Sequence, residues 1–132
     1  MTIAVQGATP LLQVFDMPAS LAFYRDVLGF EQIDAAGPEH DVGWMLLRLQ
    51  DTYLMLNTAY ERHERPAAPD PARIAAHADT GLFFACPDVD AAYAHLHARG
   101  VDVQPPGIRE YGMKQLYVSD PDGYALCFQW PV

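Results

Sequence analysis

The residues that could do chemistry are scattered along this 132-residue chain and form no catalytic pattern. Cys86 and Cys127, the only two cysteines, do not form the C-x-x-C spacing that metal and redox sites use. His95 and His97 stand two residues apart on a predicted helix, so their rings would point to different sides and could not share an ion. The chain also lacks a G-x-S-x-G nucleophile elbow and a glycine-rich phosphate loop. No catalytic residue is therefore predicted.

The other histidines and both serines have simpler explanations than catalysis. His40 lies in a predicted loop, and His63 and His77 lie in a segment rich in Ala, Pro and charge, so all three are expected to be solvated. Ser20 follows a predicted helix start and Ser119 lies in a predicted turn, which are common positions for serine.

Composition and charge exclude several classes of protein. A hydrophobic fraction of 51% with 19% charged residues predicts one globular domain, residues 1–132. Eight basic against 17 acidic residues give a net charge of −9, which argues against a nucleic-acid partner. The longest apolar runs have five residues, so no membrane span is predicted. With no signal-peptide pattern, we expect a cytoplasmic protein with free thiols.

An internal repeat gives the clearest indication of the fold. A displacement of 72 residues places residues 10–17 on 82–89 and residues 51–57 on 123–129. Both copies show the order strand, helix, three strands, which predicts an α+β fold built from two tandem βαβββ modules. The predicted limits are residues 8–60 for the first module, 61–79 for a linker and 80–131 for the second module.

Similar end signals frame a helix in each copy. Asp16 and Asp88 are predicted N-caps, and Gly29 and Gly100 suit the left-handed backbone that ends a helix. A further short helix is expected near residues 72–76, inside the linker. The strands are predicted at 9–15, 31–34, 43–49 and 52–57 in the first copy. In the second copy the apolar run 82–86 stands where the first strand is expected, and further strands are predicted at 102–104, 114–118 and 124–130. The turn sequence at residues 119–123, Ser-Asp-Pro-Asp-Gly, predicts a hairpin of the last two strands.

Two segments resemble a known family. Residues 23–30 read FYRDVLGF, and residues 111–124 read YGMKQLYVSDPDGY. Over about residues 8–131 the chain resembles the vicinal oxygen chelate superfamily, which includes glyoxalase I, extradiol dioxygenases and bleomycin-resistance proteins, and it is most similar to the bleomycin-resistance-like branch. The resemblance implies that each module curls its sheet into half of a U-shaped cleft, and that the protein is a homodimer.

The resemblance also locates the metal positions of the superfamily. Its metal-using members carry four ligands, normally His, Gln or Glu, and by position these are Thr9, Met55, Gly81 and Cys127 here. None of the four has the imidazole or carboxylate that a hard or borderline divalent ion prefers. We therefore predict no metal and no other cofactor.

The same strand face would then form a small-molecule pocket. Strand alternation places apolar groups and a few amides on it, a composition typical of ligand sites. The predicted ligand-binding residues are Gln13, Trp44, Tyr53, Met55, Asn57, Phe83, Tyr111, Cys127 and Gln129. For Trp44 and Tyr111, a core or dimer contact is the alternative. Arg48, Arg109 and Glu110 are charged candidates at the rim and are expected to be solvated.

These observations predict a metal-independent protein that binds a small apolar or aromatic molecule and sequesters an antibiotic-like compound. The net charge of −9 would favour a cationic ligand. One alternative is a lyase, isomerase or dioxygenase-type enzyme with a non-standard or metal-free site, for which Cys127, Tyr53 and Glu110 are the titratable candidates. A second alternative is an interaction domain whose cleft is filled by its own side chains.

Overall fold

Two four-stranded sheets account for much of the chain in the computed structural model, which describes residues 1–132. The chain divides into two units, residues 1–67 and 68–132, with one sheet in each. The boundary falls inside the predicted linker. This architecture confirms the prediction of an α+β fold with tandem modules. No helix has the length and apolar character needed to cross a membrane.

The first unit places a helical segment between its first two strands. Its elements are β1 (Leu11–Val14), α1 (Met17–Leu21) continued by a π-helical segment (Ala22–Val27), β2 (Glu31–Ala36), β3 (Trp44–Leu49), β4 (Thr52–Thr58) and a short 3-10 helix (Arg62–Glu64). The strand order is β1-β4-β3-β2, with β1 parallel to β4 and the other pairs antiparallel.

The second unit repeats this arrangement after an additional short helix. Its elements are α2 (Pro71–His77), β5 (Gly81–Ala85), α3 (Val89–Ala98), β6 (Gly107–Ile108), β7 (Met113–Ser119) and β8 (Ala125–Pro131). The strand order is β5-β8-β7-β6, with β5 parallel to β8 and the other pairs antiparallel.

The strand registers confirm the sequence repeat. Leu11 pairs with Met55 in the first sheet, and Phe83 pairs with Cys127 in the second, so each residue lies 72 positions from its counterpart. Strands β3 and β7 are also counterparts, but equivalent residues on them are 71 positions apart instead of 72. The difference arises because the β3–β4 turn is shorter than the β7–β8 turn. In consequence Gln115, which pairs with Gln129, is the structural counterpart of Trp44.

Each sheet buries one face against the helix of its own unit. In the first unit the buried strand residues alternate along β1, β3 and β4: Leu12, Val14, Met45, Leu47, Leu54 and Leu56. Tyr24 of the helical segment and Phe30 after it are buried as well, and their rings meet edge to face. In the second unit α3 packs on β7 and β8 through Val89 and Leu96. Trp130 lies on the same side of β8 as the buried Leu126 and Phe128 but stays 42% exposed, because it is near the end of the strand beside Lys114.

The predicted helix ends are correct for α3 and partly wrong for α1. The side chain of Asp88 accepts a hydrogen bond of 2.9 Å from the Ala91 amide and caps α3. Asp16 is at the N-cap position of α1, but its side chain makes no capping hydrogen bond. Gly29 has φ of +94°, as its place after the helical segment predicts.

One predicted strand is wrong. Residues 102–104 form no strand, and β6 lies instead at Gly107–Ile108, paired with β7. Pro105 and Pro106 stand between the two segments and have no N–H to donate, so ladder pairing begins only after them.

His77 is not the solvated residue that the composition of its segment predicts. It is half-buried at the end of α2, where its Nδ1 lies 2.7 Å from the backbone carbonyl oxygen of Asp122 in the β7–β8 turn. The helix predicted near residues 72–76 is present as α2. It packs on the β7–β8 hairpin of its own unit through this contact.

Candidate functional site

The face of each sheet opposite its helix is the more exposed one, and we call it the open face. On the first sheet, strand pairing aligns Leu11, Met55 and Leu46 in one row across β1, β4 and β3. The next row of the same face consists of Gln13, Asn57 and Trp44. Asn57 Nδ2 donates to Gln13 Oε1 at 3.3 Å, so the two amides form a linked polar pair beside the indole.

Tyr53 lies at the opposite end of this open face, where charged side chains gather. It pairs with Arg48 across β3 and β4, and the Arg48 guanidinium donates to the Glu31 carboxylate, with Nε at 2.8 Å from Oε1. A polar depression of about 400 Å³ lies here, lined by these three residues together with Gln50 and Asp51. Arg48 is therefore partly exposed, as expected of a solvated side chain, but it also forms an ion pair with Glu31 that was not predicted.

On the second sheet, an aromatic pair dominates the open face. Phe83 and Tyr117 lie on either side of Cys127, which pairs with both across β5, β8 and β7. The two rings meet edge to face with centroids 6.3 Å apart. Phe83 is 57% exposed and Tyr117 is 44% exposed, although aromatic side chains gain much from burial. The pair thus presents two partly exposed aromatic rings on the open face.

Cys127 is buried between the strands that carry the aromatic pair, and its thiol has low reactivity. Burial raises the pKa of its thiol above the ordinary value, and a side-chain hydrogen bond with Tyr117 offsets the rise only in part. The thiolate is the nucleophilic and metal-binding form of cysteine, so the raised pKa disfavours both roles at neutral pH.

A hydrogen-bonded network of polar side chains flanks the aromatic pair. Gln115 is 4% exposed, and its Nε2 donates to Gln129 Oε1 at 2.8 Å. The Tyr111 hydroxyl donates to Gln115 Oε1 at 2.7 Å, and Arg109 Nε approaches the same oxygen at 3.4 Å. Arg109 and Tyr111 belong to the turn between β6 and β7, closed by a bond from the Gly112 amide to the Arg109 carbonyl. The turn thus folds two side chains back onto the sheet.

Gln115 was not among the predicted site residues. The alternation that places Tyr117 on the open face also places Gln115 there, two residues earlier, so the signal was present in the sequence. The nine predicted residues divide between the two sheets. Gln13, Trp44, Tyr53, Met55 and Asn57 lie on the open face of the first, and Phe83, Tyr111, Cys127 and Gln129 lie at that of the second.

The four positions at which the sequence resemblance expects metal ligands do not fit an ion. Gly81 has no side chain, Thr9 precedes β1, and Met55 and the protonated Cys127 are poor ligands for a hard or borderline cation. No three His, Cys, Asp or Glu side chains lie close enough together to share a metal ion. The polar groups of the two open faces include amides, the Arg48–Glu31 ion pair and the Arg109 guanidinium, beside aromatic rings.

A separate cavity of about 250 Å³ lies in the first unit and contains none of the predicted residues. It is bordered by the start of α1, the loop before β3 and the 3-10 helix, and its charged residues include Asp16, Asp41, Arg62 and Arg65. Arg65 Nη2 lies 3.9 Å from Asp41 Oδ1, a loose ion pair. The lining of this cavity therefore contains both acidic and basic side chains.

Comparisons with known proteins agree with this architecture. The chain is 32% identical over 114 residues to the uncharacterized protein YaeR of Escherichia coli (strain K12), covering 84% of each chain. The crystal structure of SMU.1112c is similar with a TM-score of 0.76 and 28% identity, covering 96% of this chain and 98% of that one. A bleomycin-binding protein complexed with bleomycin has a TM-score of 0.73 and 21% identity, covering 97% of this chain and 100% of that one.

The family model is matched along nearly the whole chain. Residues 7–128 match the Glyoxalase/Bleomycin resistance protein/Dioxygenase superfamily. Both segments that carry the sequence resemblance, 23–30 and 111–124, lie within the matched range. The chain therefore belongs to the Glyoxalase/Bleomycin resistance protein/Dioxygenase superfamily.

Proposed function

We propose that this protein binds a small aromatic molecule on the open face of its second sheet and sequesters it without a metal. The observation that carries the proposal is the exposed edge-to-face pair of Phe83 and Tyr117 beside fixed polar groups. Apolar surface with a few oriented hydrogen-bonding groups is the usual composition of a ligand site. A flat ring placed on this pair would remove both side chains from water and gain stacking contacts.

Two further observations support binding in preference to catalysis. A member of the same fold is known in complex with bleomycin, which shows that the architecture can hold an organic molecule. Cys127, the buried titratable group of the open face, has a raised pKa and is a weak nucleophile at neutral pH. In its specific form, the proposal is that the sequestered molecule is an antibiotic-like compound.

A neutral aromatic probe tests this function. We expect naphthylmethanol to bind saturably with a Kd below about 1 mM, the range allowed for a ligand of this size. Phe83→Ala should weaken binding by roughly fivefold or more, because it removes half of the ring pair. Ile108→Ala is the matched control, since Ile108 is also exposed but pairs with Lys114 on the other face. Absence of saturable binding, or equal loss in both variants, would refute the proposal.

We also propose that the protein is a homodimer, as its family resemblance implies. All six residues of β2 are exposed, and an unpaired edge strand is a common place for self-association. Light scattering coupled to size-exclusion chromatography tests this, with a mass twice the 14.7 kDa of one chain expected. A mass of one chain at micromolar concentration would refute it. The cytoplasmic location stays a prediction.

A further inference from the structure

In the hydrogen-bond network on the open face of the second sheet, the chemistry of Arg109 determines which amide atom of each glutamine donates and which accepts. Arg109 has only donors, so the side-chain oxygen of Gln115 must face it, and the Tyr111 hydroxyl donates to the same oxygen. The Gln115 Nε2 group therefore faces Gln129 and donates to its Oε1. The Gln129 Nε2 group is left without a protein acceptor, and it becomes a free donor beside the aromatic pair.

Arg109 adds further donors to the same face. A Cβ on Gly107 would lie 3.8 Å from Cζ and Nη1 of Arg109, which places the guanidinium over the sheet at the position opposite Gln115. Its positive charge also lowers the pKa values of Tyr117 and Cys127 against the dominant effect of burial, as expected for a cation near both groups. The guanidinium is thus close to the aromatic pair as well as to the amides.

Arg109 has no carboxylate partner. Arg48, the arginine on the open face of the first sheet, is by contrast paired with Glu31. The chain carries 17 acidic and eight basic residues, so acidic partners are plentiful. The two terminal nitrogens of Arg109 therefore remain available in a fork geometry that suits a carboxylate.

The local donors outweigh the net charge in selecting a ligand. The net charge of −9 favours a cation at long range, but salt screens charges separated by more than about 8 Å at physiological ionic strength. At contact distance the groups presented are a guanidinium and an amide N–H. Both are donors, and neither satisfies a cationic ligand group.

We infer that the ligand is an aromatic molecule bearing a carboxylate, with its ring on Phe83 and Tyr117 and its carboxylate on Arg109 and Gln129. This inference rests on the proposed function, because it uses the same face. Gln115 is then a positioning residue, since it orients the Gln129 amide and holds Arg109 over the sheet without itself touching the ligand.

Three probes with one ring system and different charges test the inference on the full chain: naphthoate, naphthylmethanol and naphthylmethylammonium. We expect naphthoate to bind roughly tenfold more tightly than the alcohol, the gain typical of a charge-assisted hydrogen bond, and the ammonium to bind most weakly. Arg109→Gln should reduce naphthoate to about the affinity of the alcohol, because the charged donor that distinguishes the two probes is lost. Arg73→Gln, at an exposed site on α2, is the control and should change none of the three affinities.

A second variant reverses the preference. Gln115→Glu places a carboxylate against Arg109 and removes the donor to Gln129, so naphthoate should weaken by about tenfold and the ammonium should strengthen. Alcohol binding reports whether the variant is folded.

The outcomes separate the two proposals. Equal affinity of naphthoate and alcohol for the unmodified protein, or tightest binding of the ammonium, would overturn this inference while leaving aromatic binding intact. Failure of all three probes to bind would overturn both.

Discussion

His77 stacks on Tyr124 with ring centroids 4.1 Å apart and ring planes 9° from parallel. The same imidazole contacts the backbone of the β7–β8 turn through Nδ1, so one side chain joins α2 to the hairpin that carries half of the aromatic pair. The hairpin strands then hold Tyr117 and Cys127 in register. The short helix α2 is for this reason a structural part of the second unit.

Replacing His77 by alanine should therefore lower the free energy of unfolding by about 1–3 kcal/mol, because a stacking contact and a hydrogen bond are both lost. His63→Ala is the control, since His63 is exposed and its change should stay within about 0.5 kcal/mol. Urea denaturation followed by tryptophan fluorescence measures both. Equal stability of the two variants would contradict the role given to His77.

A second prediction concerns Gly123 in the β7–β8 turn. This residue has φ of +87°, and a Cβ would overlap the Ile74 carbonyl oxygen and lie 2.9 Å from its Cγ2. We expect Gly123→Ala to destabilise the protein by more than about 3 kcal/mol, because backbone of α2 must move as well as the turn. Gly100→Ala has a similar φ of +75° with open space around the Cβ, so it should cost only about 1 kcal/mol. Equal costs in denaturant titrations would show that the overlap is relieved.

The two helix N-caps give a matched pair of variants. Asp88→Ala should cost about 1 kcal/mol, because it removes the bond to the Ala91 amide that caps α3. Asp16→Ala should cost less, since the Asp16 side chain makes no such bond. Denaturant midpoints with unchanged m-values would provide the comparison. A larger loss for Asp16→Ala would contradict the assignment of the caps.

The buried thiol predicts a dependence of stability on pH. Burial raises the pKa of Cys127 in the folded state above its ordinary value of 9.0, so the unfolded chain loses this proton at lower pH than the folded chain. The contribution to stability is thus fully present below about pH 9 and is lost as the pH rises through the raised folded-state pKa. Cys86 and Tyr117 also have raised pKa values and add to the same trend.

We expect the free energy of unfolding to fall between about pH 8.5 and pH 10.5, and Cys127→Val to make that fall less steep. The test is a series of urea titrations across this range for both proteins. Identical slopes would show that Cys127 is not desolvated in the folded state.

The fold was predictable because its signals are local and repeated. The segment FYRDVLGF, the turn at 119–123 and the displacement of 72 residues each constrain short stretches of backbone. The register of Phe83 with Cys127 follows from that of Leu11 with Met55 once the repeat is recognised. The strand at 102–104 was misplaced because Pro105 and Pro106 interrupt a ladder that apolar alternation alone cannot locate.

The polar groups of the candidate site were harder to predict. Gln13, Asn57 and Gln129 were found by strand alternation, but the orientation of Arg109 and Tyr111 depends on a turn that brings them back to Gln115. Such a contact requires coordinates, because sequence distance does not show where an exposed turn directs its side chains. His77 was misjudged for a similar reason: its burial depends on packing between α2 and a hairpin more than forty residues away.

The most direct test of the central claim is a two-dimensional amide NMR titration of the labelled protein with naphthylmethanol. The claim that an aromatic ligand lies on the open face of the second sheet predicts saturable shifts concentrated at residues 83, 115–117 and 127–129. Shifts confined to α3 or to the first unit, or no shifts at all, would contradict it.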